Sequence, residues 1–329
     1  MSMKIAIIPA LMGLALLPAT GSTQTLTDKE QLGKSIFFDN NLSINGNQSC
    51  AACHAPKAGW TGPDPSINAI GAVYEGSILG RFGNRKPPSS AYATPSPILH
   101  DILEKQEVLF VGGGFWDGRA TGEKLGNPAA DQAQGPFLNP LEQALPDAAC
   151  VVYRVCNAVG YPVSFETVFP GDCNIVMSFE IGSLCAAGEP VPLDETDQTK
   201  VNTAYNDIAY AIAAFEASPE SNAFTSKYDY YLKGVVDLSK EEKKGLNLFK
   251  SKGKCAACHV LDPGPNGAPP LLTDFTYDNL GVPRNPDNPF YTESAFNPAG
   301  AGWIDLGLGG FLASRTDYQQ YAAANHGKQ

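Results

Sequence analysis

The sequence predicts a mainly α-helical fold of two domains with long loops. The pentapeptide Cys-Ala-Ala-Cys-His occurs at residues 50–54 and again at 255–259. Each copy follows a short stretch that carries helix-start signals, and a long amphipathic helical pattern lies between the copies. Strand patterns are few, and a chain of 329 residues is long enough for two domains of ordinary size.

The first repeated element is a short helix that begins with a capping box. Thr27 with Glu30, and Ser239 with Glu242, have the hydroxyl and carboxylate spacing that satisfies the free amide groups at a helix start. Each repeat then has a glycine and an aliphatic–phenylalanine pair, namely Gly33 with Ile36 and Phe37, and Gly245 with Leu248 and Phe249. The sequence therefore predicts one helix–CAACH unit used twice.

The stretch between the two units contains the clearest helix of the chain. Its apolar residues recur at helical spacing and form one stripe, made of Val201, Tyr205, Ile208, Ile212 and Phe215. Pro219 should end this helix, and a second short helix is predicted over residues 222–234. Residues 60–100 and 260–310 are rich in Gly, Pro, Asn and Asp and indicate long loops. We place the domains at 23–218 and 219–329.

Residues 1–22 have the pattern of a secretory signal peptide. Lys4 is the basic start, residues 5–17 are apolar, and Ala19 to Gly21 form a small-residue cleavage site. An uncleaved membrane anchor is the alternative. No other stretch is long and apolar enough to span a membrane. The mature chain is therefore expected in the periplasm, without a membrane span.

Overall composition indicates a folded protein and limits its partners. The chain is 43% hydrophobic and 17% charged, which is typical of globular proteins. Its net charge of −11 argues against a nucleic-acid partner, because phosphate binding needs clustered Lys and Arg. The acidity allows a protein partner with a basic patch.

Four of the eight cysteines lie outside the pentapeptides, within residues 150–185. They are Cys150, Cys156, Cys173 and Cys185. In an exported protein an even, clustered set predicts two disulfides. Three pairings are open, and free buried thiols are the alternative.

The two pentapeptides match the attachment signal of c-type haem. Two thiols bond to the haem and the following histidine ligates iron. Zinc is the alternative, but a closed zinc site needs four ligands and each cluster offers three. The sequence therefore predicts two covalent c-type haems, held by Cys50, Cys53 and His54 and by Cys255, Cys258 and His259.

Few residues remain that could bind the opposite face of each iron. Of four histidines, only His100 and His326 lie outside the clusters, and Met177 is the single methionine after the leader. His and Met are the common sixth ligands. We therefore expect at least one iron to have an open or weakly held position, as a haem that performs chemistry does. His100 and Met177 are otherwise read as packing or surface residues.

One segment carries a family resemblance. "GGGFWDGRATGEKLGNPAADQAQGPFLNPLEQAL", residues 112–145, resembles the bacterial dihaem cytochrome c peroxidase and MauG family. "AIAAFEAS", "SKYDYYLKG", "LSKEEKKGLNLFKSKGKCAACH" and "FTYDNLGVPRNP" are similar to the same family. The resemblance covers nearly all of residues 27–329, and its motifs occur in the family's order around two haem sites.

The resemblance implies roles for three further residues. In this family the first haem reacts with peroxide and the second passes electrons to it. Trp116 matches a tryptophan that lies between the haems. Gln132 and Glu142 match residues of the peroxide pocket, where the carboxylate moves a proton between the peroxide oxygens and the amide orients the peroxide.

Three departures from the family pattern affect these expectations. The loop over residues 75–96 lacks the histidine that caps the first iron in many members, so the pocket should be open without prior reduction. Residues 85–88 read Arg-Lys-Pro-Pro instead of Arg-Asn-Ala-Pro, which puts calcium in doubt although Asn84 is adjacent. The chain stops at "NHGKQ", before the segment that supplies the second haem's sixth ligand, and is expected to be incomplete there.

The leading interpretation is a periplasmic dihaem peroxidase that reduces hydrogen peroxide with electrons from a small protein, a cytochrome c or a cupredoxin. A MauG-like oxidase of a protein side chain is the alternative enzyme. A dihaem electron-transfer cytochrome without catalysis is the alternative class, and it requires two six-coordinate irons. The sequence does not identify the electron donor, and it allows a homodimer.

Overall fold

The computed structural model describes residues 25–175, 179–264 and 267–329. The predicted signal peptide and Met177 lie outside these ranges. Helices within them are α1 (Asp28–Phe38), α2 (Cys50–Cys53), α3 (Pro65–Ala69), α4 (Pro128–Ala133), α5 (Gly135–Leu138), α6 (Ala148–Cys156), α7 (Phe165–Val168), α8 (Phe179–Ala187), α9 (Glu195–Ala217), α10 (Lys227–Leu232), α11 (Lys240–Lys250) and α12 (Gly307–Ala313). None of these helices is both long and apolar enough to cross a membrane.

The prediction of a mainly helical chain with few strands is confirmed. The described ranges contain one two-stranded antiparallel sheet, β1 (His100–Glu104) paired with β2 (Glu107–Val111). Lys105 and Gln106 form its turn with positive φ angles of 48° and 73°, as a two-residue hairpin turn of this twist requires. Sequence patterns did not predict this hairpin, because neither turn residue is the usual Gly, Asn or Asp.

Helix α9 is the centre of the main core. The stripe predicted for it is buried along its whole length, and the helix ends at Ala217, just before Pro219. Helices α1, α4 and α6 pack around it. Helix α1 crosses α9 at Gly33, where an added Cβ would lie 1.9 Å from the Ala211 carbonyl oxygen. Only glycine permits so close an approach.

The prediction of two disulfides is confirmed, and the structure selects the pairing. Cys150 on α6 is bonded to Cys185 on α8, and Cys156 at the end of α6 is bonded to Cys173. Both bonds therefore fasten α6 to the segment that leads towards α9. Each closes a loop in the unfolded chain, which typically stabilises a fold by about 2–4 kcal/mol.

A second, smaller cluster joins distant parts of the sequence. Leu99 and Phe110 at the hairpin pack with Leu308, Leu312 and Ala322 from the last described range. The hairpin thus lies against α12, although the sequence places it far upstream. The predicted boundary between residues 218 and 219 stays a prediction.

Candidate active site

A cavity of about 420 Å³ lies at the first CAACH cluster. Its lining brings together all the residues predicted for the first site, namely Cys50, Cys53, His54, Trp116, Gln132 and Glu142. Most of the remaining wall is apolar, with contributions from α1, α4 and α9. Residues separated by almost a hundred positions therefore meet at one cavity.

Helix α2 fixes the geometry of the first cluster. It is a single turn, so Cys50 and Cys53, three residues apart, lie on the same side. The His54 amide donates a hydrogen bond to the Cys50 carbonyl (2.9 Å) and its Nδ1 lies 3.2 Å from the Trp60 carbonyl oxygen. That contact occupies Nδ1 and leaves Nε2 free to bind a metal. Burial lowers the pKa of His54, which favours the neutral, metal-binding form.

The thiols of the first cluster are held in their protonated form. Cys50 and Cys53 are free, and burial raises the pKa of both. Nearby Glu142 raises both further. No group of three or more His, Cys, Asp or Glu in the described ranges is arranged to hold a metal ion, and calcium stays untested.

Glu142 is placed by the turn that follows α5 (Gly135–Leu138). One of its carboxylate oxygens accepts a hydrogen bond from the Asn139 side-chain amide at 2.9 Å. Burial raises the pKa of Glu142, while the charge of Arg119 and the Asn139 hydrogen bond act in the opposite direction. A carboxyl of raised pKa holds a proton more readily than an ordinary glutamate, which suits a group that must accept a proton and return it.

Trp116 lies at the edge of the cavity on a loop. Its indole Nε1 donates to the Lys86 carbonyl oxygen at 2.8 Å, and 37% of the residue remains exposed. The preceding Phe115 has a φ of +62°, an uncommon angle for a residue with a side chain. The Arg119 guanidinium lies 3.7 Å from the centre of the Phe115 ring, a cation–π contact that holds this loop.

A partly buried ion-pair network, which sequence reasoning missed, fixes the same loop. Arg85 pairs with Asp117 and with Asp305, each at 2.6 Å, and Arg119 pairs with Asp117 at 2.9 Å. The network joins the loop before Lys86, the loop of Trp116 and a segment almost 190 residues further on. No spacing in the sequence indicates that these residues meet.

Glu216 is a second carboxyl of the first cavity and was not predicted. It lies on α9, lines the cavity, and is 4% exposed. Burial raises its pKa to about 8. Its motif, "AIAAFEAS", was recognised for the family resemblance, but a glutamate near a helix end is usually solvated.

The second CAACH cluster repeats the histidine contact in more open surroundings. His259 Nδ1 lies 2.9 Å from the Leu272 carbonyl oxygen, and the Phe249 ring is 6.3 Å from the imidazole. Phe249 and Leu272 also line a second cavity of about 420 Å³. Cys255 and Cys258 are exposed free thiols.

The segment from Leu272 to Phe275 connects the two sites. The Leu272 carbonyl contacts His259 of the second cluster, whereas Thr273 and Phe275 line the first cavity. Leu272 and Phe275 have positive φ angles of 57° and 60°. Two such residues in one short segment are costly, so the chain holds this bridge in a defined conformation. Within the predicted 260–310 loop, the spacing of residues does not indicate that this segment joins the two sites.

The remaining histidines lie elsewhere. His100 is exposed on β1 with its Nδ1 2.8 Å from the Ile98 carbonyl oxygen, and His326 is exposed near the last described residue. Among the residues that line the first cavity, His54 is the only histidine, and methionine is absent from that lining. Two histidines that could have served as a second ligand are therefore not at this cavity.

The first cavity fits a flat apolar group with a polar edge. Its wall is largely apolar, yet three buried polar atoms on it have no partner, namely Gln48 Oε1, Ser90 Oγ and Gln143 Oε1. Buried polar groups are almost always hydrogen-bonded, so a bound group with polar atoms could supply partners for them. A haem has an apolar macrocycle that suits this wall, the Ser90 hydroxyl can donate to one of its carboxylates, and two thiols and an imidazole lie at the same wall.

Comparison with known proteins identifies the family to which the chain is similar. The family described as di-haem cytochrome c peroxidase matches residues 27–237. The chain is 31% identical to methylamine utilization protein MauG of Paracoccus denitrificans over 297 residues, which is 89% of this chain and 66% of that protein. It is 30% identical to cytochrome c551 peroxidase of Pseudomonas aeruginosa over 261 residues, 79% of this chain and 56% of that protein.

A solved structure gives the same result. The diheme peroxidase BthA from Burkholderia thailandensis superposes with a TM-score of 0.69 at 26% identity, over 93% of this chain and 64% of that one. The chain thus spans between 56% and 66% of the length of these three relatives.

Proposed function

The chain belongs to the di-haem cytochrome c peroxidase family, and we propose that it reduces hydrogen peroxide to water with electrons from a small redox protein. Family membership implies two haems. In the proposal, Cys50, Cys53 and His54 hold the first covalently, and Cys255, Cys258 and His259 hold the second. The observation that carries the proposal is the half-buried carboxyl of Glu142 in the same cavity as the first CAACH cluster.

Glu142 performs the proton transfer in this proposal. Bound haem would supply an iron that takes up and delivers electrons. The Glu142 carboxylate accepts a proton from one oxygen of hydrogen peroxide and returns it to the other, so that this oxygen leaves as water. The raised pKa supports the role, because a strongly acidic carboxyl would not hold the proton long enough to return it.

Gln132 and Trp116 position the reaction. The Gln132 amide, on the same cavity wall, donates or accepts hydrogen bonds and so orients the peroxide. Trp116 is fixed by its bond to the Lys86 carbonyl and serves as the aromatic contact between the two sites. Two electrons and two protons are consumed for each peroxide that becomes two waters.

The electrons arrive through the second cluster. Its exposed thiols and the bridge from Leu272 to Phe275 support electron flow from the surface, past His259, to the first cavity. A periplasmic cytochrome c or cupredoxin is the proposed donor, and the predicted signal peptide supports that compartment.

Replacing Glu142 by Gln tests the proposal, since glutamine keeps the shape but cannot accept the proton. Peroxide turnover should fall by about 10²–10⁴-fold, with haem content and the resting absorption spectrum unchanged. Glu75→Gln is the matched control, because Glu75 caps a surface loop by accepting a bond from Gly80 and does not line the cavity. Wild-type turnover in the Glu142 variant would remove this residue from the mechanism.

Oxidation of a protein side chain is the second candidate, and the 31% identity to MauG favours it. The two activities differ in what is consumed. A peroxidase oxidises two equivalents of reduced donor per peroxide and leaves protein side chains unchanged. Absence of donor oxidation, together with a new mass on a protein substrate after peroxide addition, would select the oxidase.

A further inference from the structure

The second cluster lies in a strongly basic stretch of an acidic protein. Residues 227–254, which lead up to Cys255, contain eight lysines and four carboxylates, whereas the whole chain has a net charge of −11. The corresponding stretch before the first cluster, residues 27–49, has two lysines and three carboxylates. The two units therefore differ in the sign of their local charge.

Most of these lysines are not neutralised. Lys227 pairs with Glu242 and Lys243 pairs with Asp237. The six others are exposed and have no ion pair to any described residue, namely Lys233, Lys240, Lys244, Lys250, Lys252 and Lys254. Exposed charges of one sign raise the local potential and attract a partner of the opposite sign.

Apolar side chains lie exposed among the lysines. Leu248, on α11 (Lys240–Lys250), is 53% exposed, and Val235 and Val236 are exposed in the loop before it. The pair between Lys243 and Asp237 holds that loop against the helix. An apolar centre within a charged rim is the usual composition of a transient protein interface.

We propose that residues 227–254 form the docking surface for an acidic electron-donor protein, which we call the lysine surface. Three lysines lie within five residues of the exposed Cys255, so a protein bound there would face the second cluster. The net charge of the chain would suggest a basic partner. We propose an acidic one, because the partner contacts the local basic surface and does not respond to the average charge of the chain. This proposal rests on the proposed function only for the direction of electron flow.

The test measures electron transfer without peroxide. A small acidic cytochrome c, reduced, is mixed anaerobically with the oxidised protein in a stopped-flow instrument. A second sample of the same cytochrome has its surface carboxylates converted to neutral amides. The untreated cytochrome should react at least about tenfold faster at low salt, since steering raises association by about 10–10³-fold, and raising the salt should remove the difference.

Charge reversal locates the surface. The triple variant Lys250→Glu, Lys252→Glu and Lys254→Glu should lose about tenfold or more in the low-salt rate. The control variant Lys57→Glu, Lys105→Glu and Lys200→Glu has the same net charge, changes exposed lysines elsewhere, and should lose no more than about twofold. A neutral hydroquinone should reduce both variants at equal rates.

A further variant covers the case in which the triple variant fails to attach haem. Lys240→Gln with Lys244→Gln lies away from the cysteines and should slow the acidic cytochrome by several-fold with full haem content. Equal rates for reversal and control variants would overturn the proposal, as would equal rates for the two cytochrome samples. Self-association, or binding to anionic lipid vesicles, that depends on the same lysines while donor rates stay unchanged would also overturn it.

The outcomes separate this proposal from the proposed function. A protein that accepts electrons at the lysine surface but does not reduce peroxide keeps the docking site and loses the peroxidase assignment. A protein that reduces peroxide while its lysine variants behave as wild type keeps the assignment and loses the docking site.

Discussion

Helices α1 and α11 begin with the same kind of capping box, but α1 packs in the core whereas α11 is exposed. In both, the hydroxyl of the capping residue accepts from the amide three residues later and the glutamate bonds back. Leu32, Gly33, Ile36 and Phe37 of α1 are buried, whereas α11 has no residue buried by the described part of the chain. The same sequence unit thus has two environments.

The units remain equivalent around their histidines. His54 contacts the Trp60 carbonyl and His259 contacts the Leu272 carbonyl, each through Nδ1. Phe37 lines the first cavity and Phe249 the second. The unit therefore specifies the ligand geometry locally, and the rest of the chain decides whether that geometry is buried.

The two units also differ in the ionisable groups that surround them. The first cluster shares its cavity with the half-buried Glu142 and the buried Glu216, and desolvation raises the pKa of both carboxyls. The second has exposed thiols among lysines. Buried carboxyls suit proton-coupled chemistry and an exposed basic surface suits protein docking, so the two sites are fitted for different tasks.

The largest expected effect comes from removing the attachment cysteines of one unit at a time. Cys50→Ala with Cys53→Ala should leave one haem that resists acid–acetone extraction, and should retain part of the other non-covalently in the enclosed cavity. Cys255→Ala with Cys258→Ala should also leave one resistant haem but retain none of the other, because that cluster is exposed. Pyridine-haemochrome assays before and after extraction measure both. Two resistant haems in either variant would contradict the attachment.

The next effect compares equivalent apolar positions. Ile36 is 1% exposed and Leu248 is 53% exposed. Ile36→Ala should lower the free energy of unfolding by about 2–5 kcal/mol, since it leaves a cavity in the core. Leu248→Ala should change it by less than about 0.5 kcal/mol. Urea unfolding followed by circular dichroism measures both, and equal losses would show that α11 is packed in solution.

These positions show what sequence reasoning could reach. Caps, the CAACH units, the α9 stripe and the pair of disulfides follow from local spacing, and each was predicted and is present. Gly33 and Gly245 hold the same place in the repeat, but only Gly33 meets a neighbour, the Ala211 carbonyl. Which α-helix has such a neighbour depends on long-range packing, which spacing does not encode.

The candidate site divides in the same way. Glu142, Gln132 and Trp116 were reached through a recognisable segment, and the structure places all three at the first cavity. Glu216 and Phe275 join the same cavity from α9 and from the bridge to the second cluster. Both lie in motifs similar to the family, AIAAFEAS and FTYDNLGVPRNP, but their place at the cavity depends on contacts between distant segments.

A smaller effect is the pH dependence that Glu216 gives to the first unit alone. Its pKa rises from 4.5 to about 8 in the fold, so the folded protein retains a proton that the unfolded chain loses. Stability should therefore fall between about pH 4.5 and 8, by at most about 1.4 kcal/mol per pH unit, and level off above.

Glu216→Gln should flatten this dependence in urea unfolding measured across the pH range. Glu189→Gln, which changes an exposed glutamate, is the control and should leave the slope as in wild type. If the free energy of unfolding depends on pH in the same way in all three proteins, the protonation of Glu216 does not differ between the folded and the unfolded chain.

The smallest effect concerns the two capping boxes, where the units are alike. Thr27→Ala removes the oxygen that accepts from the Glu30 amide at 3.3 Å, and Ser239→Ala removes its equivalent at 3.1 Å from Glu242. Loss of such a cap typically costs about 1 kcal/mol. We nevertheless expect the loss of stability in the two variants to be detected by different measurements.

Helix α1 is packed in the core, so losing its cap should lower the global free energy of unfolding by that amount. Helix α11 is not buried, and exposed elements open independently of the core. Losing its cap should therefore speed the hydrogen exchange of the α11 amides and leave the global free energy of unfolding unchanged. Hydrogen-exchange mass spectrometry and urea unfolding on both variants separate the cases. A global loss of about 1 kcal/mol in Ser239→Ala would mean that α11 unfolds together with the core, and that its bare surface is covered in solution.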